Sequence, residues 1–264
     1  MPVIAVLYAR AVIDLHSHVL PGLDDGARDL DESLAIVAAA ASARIRTLVA
    51  TPHVRDDYPT TGAQMESALA HVRAAAAEAG LDVELLPGGE IALDRLDRLG
   101  EDELRRFGLG GNPRLLLLEF PYWGWPLDLG ERIFRLRAAG VVPLLAHPER
   151  NSTVQASPQR LAPLVAAGAY VQLTAASLDG RAGRASRSAA LALLNAELAH
   201  VVASDAHAPA VREIGLSAAL DAAGSDALAT WLTSDVPASL LAGERPPPRP
   251  AVRRRRLPFR LNRG

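Results

Sequence analysis

The stretch HSHVLPGLDDG, residues 16–26, sets two histidines one residue apart and two aspartates ahead of a glycine. Imidazole and carboxylate groups bind divalent cations and move protons, and the same residue types recur in short polar motifs along the chain. His53 lies in TPH, Glu90 in PGGE, Glu119 in LLLLEF, His147 in AHPER, and Asp205 and His207 in SDAH. With His16, His18 and Asp25 they make nine nitrogen and oxygen donors. The chain has no cysteine, which excludes disulfides, thiolate zinc sites and cysteine nucleophiles. Four carboxylates brought together would repel and raise one another's pKa, a conflict that divalent cations remove. Nine donors exceed the needs of one tetrahedral ion and suit two or three ions that share bridging carboxylates and keep positions open for water. Three dications against four carboxylates leave a surplus of positive charge, which suits an anionic substrate such as a phosphate monoester.

For these donors to meet, the elements carrying them must deliver them to one place. Most of them follow one of the short apolar runs rich in Val, Ile and Leu: VIDL (12–15), RTLVAT (46–51), DVELLP (82–87), LLLLEF (115–120), VVPLLA (141–146), AYVQLT (169–174) and HVVAS (200–204). Segments of helical spacing lie between them, at 29–43, 62–80, 129–140 and 157–168, the last three ending in a glycine suited to a helix C-cap. Continuous apolar strands mean burial on both faces, and alternation with helices means a parallel sheet. Seven repeats predict an α/β fold, a closed or nearly closed barrel with its chemistry at the C-terminal strand ends; a doubly wound open sheet is the alternative. Six of the seven strands deliver donors there, while the sixth, ending in QLTAAS, offers none. His71 falls mid-helix and His200 opens a strand, so both take structural roles in this reading.

The bulk composition, 49% hydrophobic and 22% charged over 264 residues, is that of a globular protein. No apolar run is long enough to span a bilayer and the N-terminus lacks the layout of a signal peptide, so the expectation is a cytoplasmic protein. The formal charge of −2 hides an asymmetry: residues 244–264 carry eight Arg and one Glu, which leaves about −9 on residues 1–243 by difference. We therefore expect one barrel domain over 1–243 and a disordered basic Pro/Arg-rich tail over 244–264, solubilising or able to dock at anionic surfaces. The acidic body argues against a nuclease and against nucleic-acid partners.

HxH after the first strand, single His, Glu, Glu and His after the next ones and a final DxH resemble the polymerase-and-histidinol-phosphatase (PHP) superfamily of metal-dependent phosphoesterases. Within it, HSHVLPGLDDG, TPH, GGE, LLEFP and AHPERN resemble the bacterial protein-tyrosine phosphatases of capsule and exopolysaccharide operons, over residues 13–242. The resemblance implies a distorted (β/α)7 barrel with three metals; with the donor count, the expectation is two or three divalent ions, manganese first, with iron, zinc, cobalt or magnesium as alternatives. It places His16, His18, Glu90 and Asp205 on one ion, Glu90, Glu119 and His147 on a second, and Asp25, His53 and His207 on a third. It implies hydrolysis of phosphotyrosine on a bacterial tyrosine kinase that controls polysaccharide export. The alternative is a PHP phosphatase of a small phosphate monoester such as histidinol phosphate; a metal-stabilised binding module is a non-enzymatic third reading. The chain departs from the pattern in its twelve residues before Ile13, in Ala208 where an Asn is common, and in its Arg-rich end.

Arg150, three residues beyond His147, can clamp phosphate oxygens, and the resemblance also puts a catalytic arginine there. Arg212 matches a second phosphate-side arginine of the family. Arg55, close after His53, and the aromatic residues Tyr122, Trp123 and Trp125, directly after Glu119, are candidates for contact with the substrate. Asp24 is assigned to supporting the loop rather than to a metal. The oligomeric state is left open.

Overall fold

Four consecutive leucines followed by Glu119 form a strand with all five residues buried, which only the interior of a two-sided α/β sheet permits. This strand, β6 (Leu115–Glu119), stands in the middle of a parallel array in the computed structural model, which describes residues 11–209, 216 and 222–251. Strands β1 (Val12–Ser17), β2 (Ile45–Ala50) and β4 (Glu84–Leu86) pair in the order β1-β2-β4. Strands β3 (His53–Val54), β5 (Glu90–Ala92), β6, β7 (Val142–Ala146), β8 (Tyr170–Thr174) and β9 (Val201–Ala203) follow as β3-β5-β6-β7-β8-β9. Every pairing between these strands is parallel.

Among the described residues nine strands occupy seven positions, because the expected second and third strands are each broken in two. Pro52, without an N–H, separates β2 from β3, and its carbonyl instead accepts from Glu90 N at 3.0 Å. Pro87-Gly88-Gly89 separates β4 from β5. A Cβ on Gly89 would stand 2.5 Å from Cδ1 of the buried Phe107, so a side chain there would push Glu90 off its position. The ring closes where Ser17 bridges Ala206: His18 N donates to Ala206 O and Asp205 N to His16 O, both at 2.9 Å. The expected α/β barrel is the observed architecture, distorted by these two breaks.

The helices begin and end where side-chain chemistry dictates. In α1 (Leu30–Ser42) the Asp29 side chain caps Glu32 N, and Ile36, Val37 and Ala40 face the core. In α2 (Gly62–Glu78) Thr61 and Gln64 form a capping box, and Met65, Leu69, Val72 and Ala76 form the buried stripe. The next two are α3 (Glu101–Arg106) and α4 (Leu129–Ala138). The short α5 (Ser152–Ala156), α6 (Ala162–Ala166) and α7 (Ala175–Asp179) and the longer α8 (Arg184–Asn195) cover β7, β8 and β9. After the segment that lies outside the described residues, α9 (Asp226–Thr230) runs through a π-helical turn (Trp231–Asp235) into α10 (Val236–Leu241). No helix among the described residues is long and apolar enough to cross a membrane.

The C-terminal segment differs from the expected disordered tail over its first part. Trp231 Nε1 donates to Pro247 O at 2.9 Å, and Arg249 donates to Ala199 O at 3.0 Å and Leu194 O at 2.9 Å. The Arg249 guanidinium also lies 5.4 Å from the centre of the Trp231 ring. Residues 244–250 are therefore strapped across the N-terminal end of β9, opposite the strand ends that carry the donors. A proline-rich segment loses little backbone entropy on ordering, so a few hydrogen bonds suffice to hold it. Residues 252–264 lie outside the described residues.

Candidate metal centre

His16 lies in β1 and His18 directly follows it, a spacing of two that puts both rings on one side, while Ser17 turns away to donate to Val49 O at 2.8 Å. Each ring is oriented through its far nitrogen. His16 Nδ1 donates to Gln172 Oε1 at 2.9 Å, and His18 Nδ1 donates to Asp24 Oδ2 at 2.7 Å. A proton fixed on Nδ1 leaves the Nε2 lone pair free, and the two Nε2 atoms point at each other 3.2 Å apart. Both stand 3.2 Å from Asp205 Oδ1 and 3.4–3.5 Å from Glu90 Oε2. Ligands bound at about 2.0–2.1 Å in a tetrahedron stand about 3.3–3.4 Å apart, so the two imidazoles together with either carboxylate have the spacing of ligands on one cation.

Two further donor sets adjoin it. Asp25 Oδ1 lies 3.4 Å from His53 Nε2 and 3.3 Å from His207 Nε2, with His18 within reach of all three. Asp25 is exposed and His207 partly so, which opens this side to solvent. On the other side Glu90 Oε1 meets His147 Nε2 at 2.7 Å, and Glu119 lies beside Glu90 and His53. Glu90 thus faces two sets at once. The donors divide a little differently from the expected grouping: His147 clusters with His16 and Asp205, and Glu119 with His53 and Glu90.

The donor chemistry fits divalent cations. Glu90 Oε2 is buried and accepts no hydrogen bond among the described residues, although imidazole nitrogens of His53, His16 and His18 surround it at 2.9, 3.4 and 3.5 Å. Burial works to raise the Glu90 carboxyl, but the charges of His16 and His147 overrule it and hold the group well below the usual range. Asp205 behaves alike, burial being overruled by His16 and Arg150. Burial lowers His16 and His18, yet their carboxylate neighbours leave both raised, His18 well above its ordinary value. Glu119 is raised, by burial and then by the Glu90 charge. A buried cluster that retains protons on imidazoles to offset its carboxylates is one in which a cation can replace those protons. His147 and Asp205 also hold left-handed backbone angles, φ 36° and 53°, rare for non-glycine residues and costing of order 1–3 kcal/mol each. Strain at two donors is expected where a site over-determines its backbone.

Arg150 closes a 3-10 turn, Pro148–Arg150, after β7. Its Nη2 pairs with Asp205 Oδ2 at 2.7 Å and approaches Thr174 Oγ1 at 3.3 Å. The turn is held by buried Glu149, which accepts from Thr174 N and Oγ1, each at 2.9 Å. Asn151 caps α5 with Oδ1, and its Nδ2 donates to Pro121 O at 2.7 Å and Gly124 O at 2.8 Å, tying down the loop after β6.

The other expected substrate contacts separate from one another. Tyr122 stacks on His147 and neighbours Arg150. Trp123 is 80% exposed. Trp125 packs on Phe120 and beneath Arg160, which makes it an anchor of the loop rather than a wall of the cluster. Arg55 gives its charge to Glu119 Oε1 and Asp57, both at 2.8 Å, so it restrains a candidate ligand instead of standing free for phosphate. Arg212 lies outside the described residues. His71 is exposed on α2, and His200 accepts from Val171 N at 3.2 Å, both away from the cluster.

Gln172 was missed by sequence reasoning: the sixth strand does serve the site, through support of His16. The available signal was a polar residue at the centre of the apolar strand YVQLT. Asp14, buried on β1, was missed as well; it accepts from Ser204 N at 3.0 Å and Oγ at 2.6 Å and so holds the β9 exit that carries Asp205.

A family model described as "Capsular polysaccharide synthesis, CpsB/CapC" matches residues 12–227. The tyrosine-protein phosphatase YwqE of Bacillus subtilis is 35% identical over 198 residues, 74% of this chain and 77% of that protein. The tyrosine-protein phosphatase CpsB of Streptococcus pneumoniae is 28% identical over 204 residues, 74% and 83% of the two chains. A solved structure from a study of these two proteins, described as unique metal-dependent tyrosine phosphatases, superposes with a TM-score of 0.80 at 32% identity, covering 91% of this chain and 100% of the other. A β-aspartyl dipeptidase from Fervidobacterium islandicum AW-1 (TM-score 0.55, 12% identity, 88% of this chain and 72% of that one) shares the fold alone.

Proposed function

The chain belongs to the CpsB/CapC family of capsular polysaccharide synthesis, and on that premise we propose that it is a metal-dependent protein-tyrosine phosphatase, hydrolysing the phosphate ester of phosphotyrosine on a protein. One observation carries the reading: His16 Nε2 and His18 Nε2, 3.2 Å apart, each stand 3.2–3.5 Å from carboxylate oxygens of Asp205 and Glu90, flanked on both sides by further His and carboxylate donors. We assign the three adjoining donor sets to two or three divalent ions, manganese first. When bound, such ions supply positive charge and Lewis acidity against the phosphoryl oxygens and the attacking water.

The chain's own groups do the rest. Gln172 and Asp24 hold His16 and His18 with Nε2 forward. Arg150 presents a planar cation beside Asp205, and its Nε, without a partner among the described residues, is a spare donor for a phosphoryl oxygen. The Glu149–Thr174 contact fixes the turn from which Arg150 reaches, so its fork is pre-oriented. Arg212 is proposed as a second phosphate-side cation on its motif position alone. The substrate protein is proposed to be a tyrosine kinase of polysaccharide export, in the cytoplasm, where ATP-dependent kinases write phosphotyrosine; the family's tie to capsule synthesis supports this.

The test measures phosphate release from a phosphotyrosine peptide and from histidinol phosphate, with metal-stripped and manganese-reloaded protein. Turnover of the peptide should return with metal and fall at least roughly a hundredfold in His147→Ala and Arg150→Ala, the size of effect seen when a charged transition-state contact is removed. Full activity without metal, or selective use of histidinol phosphate, overturns the reading.

A further inference from the structure

A cavity of about 390 Å³ opens at the C-terminal strand ends between the exits of β5 and β6. Its walls are Ala92, Leu93 and Asp94 on one side, and Pro121, Pro126 and Asp128 on the other; Arg132 of α4 contributes as well, and Glu119 belongs to both the cavity and the donor cluster. Glu119 therefore joins the cavity to the cluster, so the group esterified to a phosphoryl held there can reach the cavity past Glu119.

The lining discriminates between the two halves of such an ester. Its one cation, Arg132, is committed through two of its nitrogens: Nη1 donates to Leu93 O and pairs with Asp97, both at 2.8 Å, and Nε donates to Asp128 Oδ2 at 2.7 Å. Asp94, Asp128 and Glu119 then leave the walls acidic, so a phosphate is unwelcome in the cavity itself. Leu93, Pro121, Pro126 and Ala92 offer apolar surface suited to a neutral, flat group. Both walls are held before any ligand arrives. Arg132 ties the Leu93 backbone on one side, and Asn151 ties the Pro121 and Gly124 carbonyls on the other. A preformed slot loses little entropy when it is filled.

We propose that this cavity is the aryl subsite: it receives the phenyl ring of the phosphotyrosine ester while the phosphoryl group lies on the donor cluster. The inference rests on the phosphatase reading above and adds to it the residues that select an aromatic ester. Recognition of the ring falls to Leu93 and the two prolines rather than to the tryptophans that follow Glu119.

Phenylphosphonate and methylphosphonate share a phosphoryl head and differ in the ring, and neither is hydrolysed, so their inhibition constants read binding alone. In the manganese-loaded protein the phenyl compound should bind at least roughly tenfold more tightly, the scale of discrimination by an apolar pocket. Pro126→Glu sets a carboxylate in the slot and retains the backbone carbonyl that accepts from Leu129 N. It should bring the ratio of the two constants close to one, mainly by weakening the phenyl compound. Ala92→Phe, filling the slot from the strand side, should do the same with metal content unchanged. Equal constants in the parent protein, or a ratio untouched by both variants, overturn the aryl subsite. A ratio untouched while phosphopeptide KM rises would assign the cavity to a neighbouring peptide side chain and overturn it too. Failure of both phosphonates to bind would instead refute the phosphatase reading on which it rests.

Discussion

Asp24 is the sharpest place to perturb the cluster without removing a donor. Its buried carboxylate accepts from His18 Nδ1 at 2.7 Å, from His53 N at 2.9 Å and from Gly26 N at 2.9 Å. Asp24→Ala strips all three partners, and each buried donor left unpaired costs about 1–3 kcal/mol, so at least roughly 3 kcal/mol of stability should be lost. Asp24→Asn is more telling. An amide keeps its oxygen on His18 Nδ1 and His53 N but sets an N–H against Gly26 N and removes the carboxylate charge that makes His18 Nε2 a strong donor. Loss of such a supporting contact lowers metal affinity about 10–100-fold, or about 1.4–2.7 kcal/mol. The assay is competition for manganese against a chromophoric chelator, with circular dichroism to show that the barrel remains. Asp24→Asn should keep its fold and lose affinity in that range. Affinity within twofold of the parent would refute the claim that the Asp24 carboxylate supports metal binding through His18.

Two further expectations follow from the same geometry. In Gly26→Ala the new Cβ would fall 2.2 Å from His18 O and 2.4 Å from His18 Cβ, a backbone clash that must displace His18; we expect manganese affinity to drop at least roughly tenfold and stability by about 1–3 kcal/mol, read by the same competition and by urea unfolding. His200 is lowered from 6.5 to about 4, by burial and then by the Arg249 charge. The unfolded chain therefore binds this proton first as pH falls, and the stability that neutral His200 contributes is present above pH 6.5 and is lost between there and about 4. At pH 5 the loss should reach about 1–2 kcal/mol, so His200→Gln should flatten the urea-unfolding stability between pH 7.5 and 5 by that amount; an unchanged slope would contradict the assignment.

Much of this site was legible because local chemistry declares itself locally. Val, Ile and Leu runs broken by helical spacing name parallel strands buried on two faces, and in such an array the residues after each strand share one rim. His16, His18, His53, Glu90, Glu119, His147, Asp205 and His207 needed only that rule to be brought together. The breaks at Pro52 and Pro87-Gly88-Gly89 were visible as residues, yet a proline or glycine does not say whether a strand stops or bends. The strap at 244–250 was hidden for a related reason, since its composition reads as disorder while its hold on Trp231, Ala199 and Leu194 comes from groups far away in the chain.

Donor identity and donor order thus belong to the chain as written. Which nitrogen of each histidine faces inward belongs to the fold. That choice rests on Gln172, 156 residues from His16, and on Asp24 reaching both His18 and the backbone of His53. The capture of Arg55 by Glu119 across 64 residues, and the apolar slot between the β5 and β6 exits, are of the same kind. Hydrogen bonds and cavities are set by distance in space, and the lateral pairing of the strands, closed at Ser17 and Ala206, brings these partners within reach.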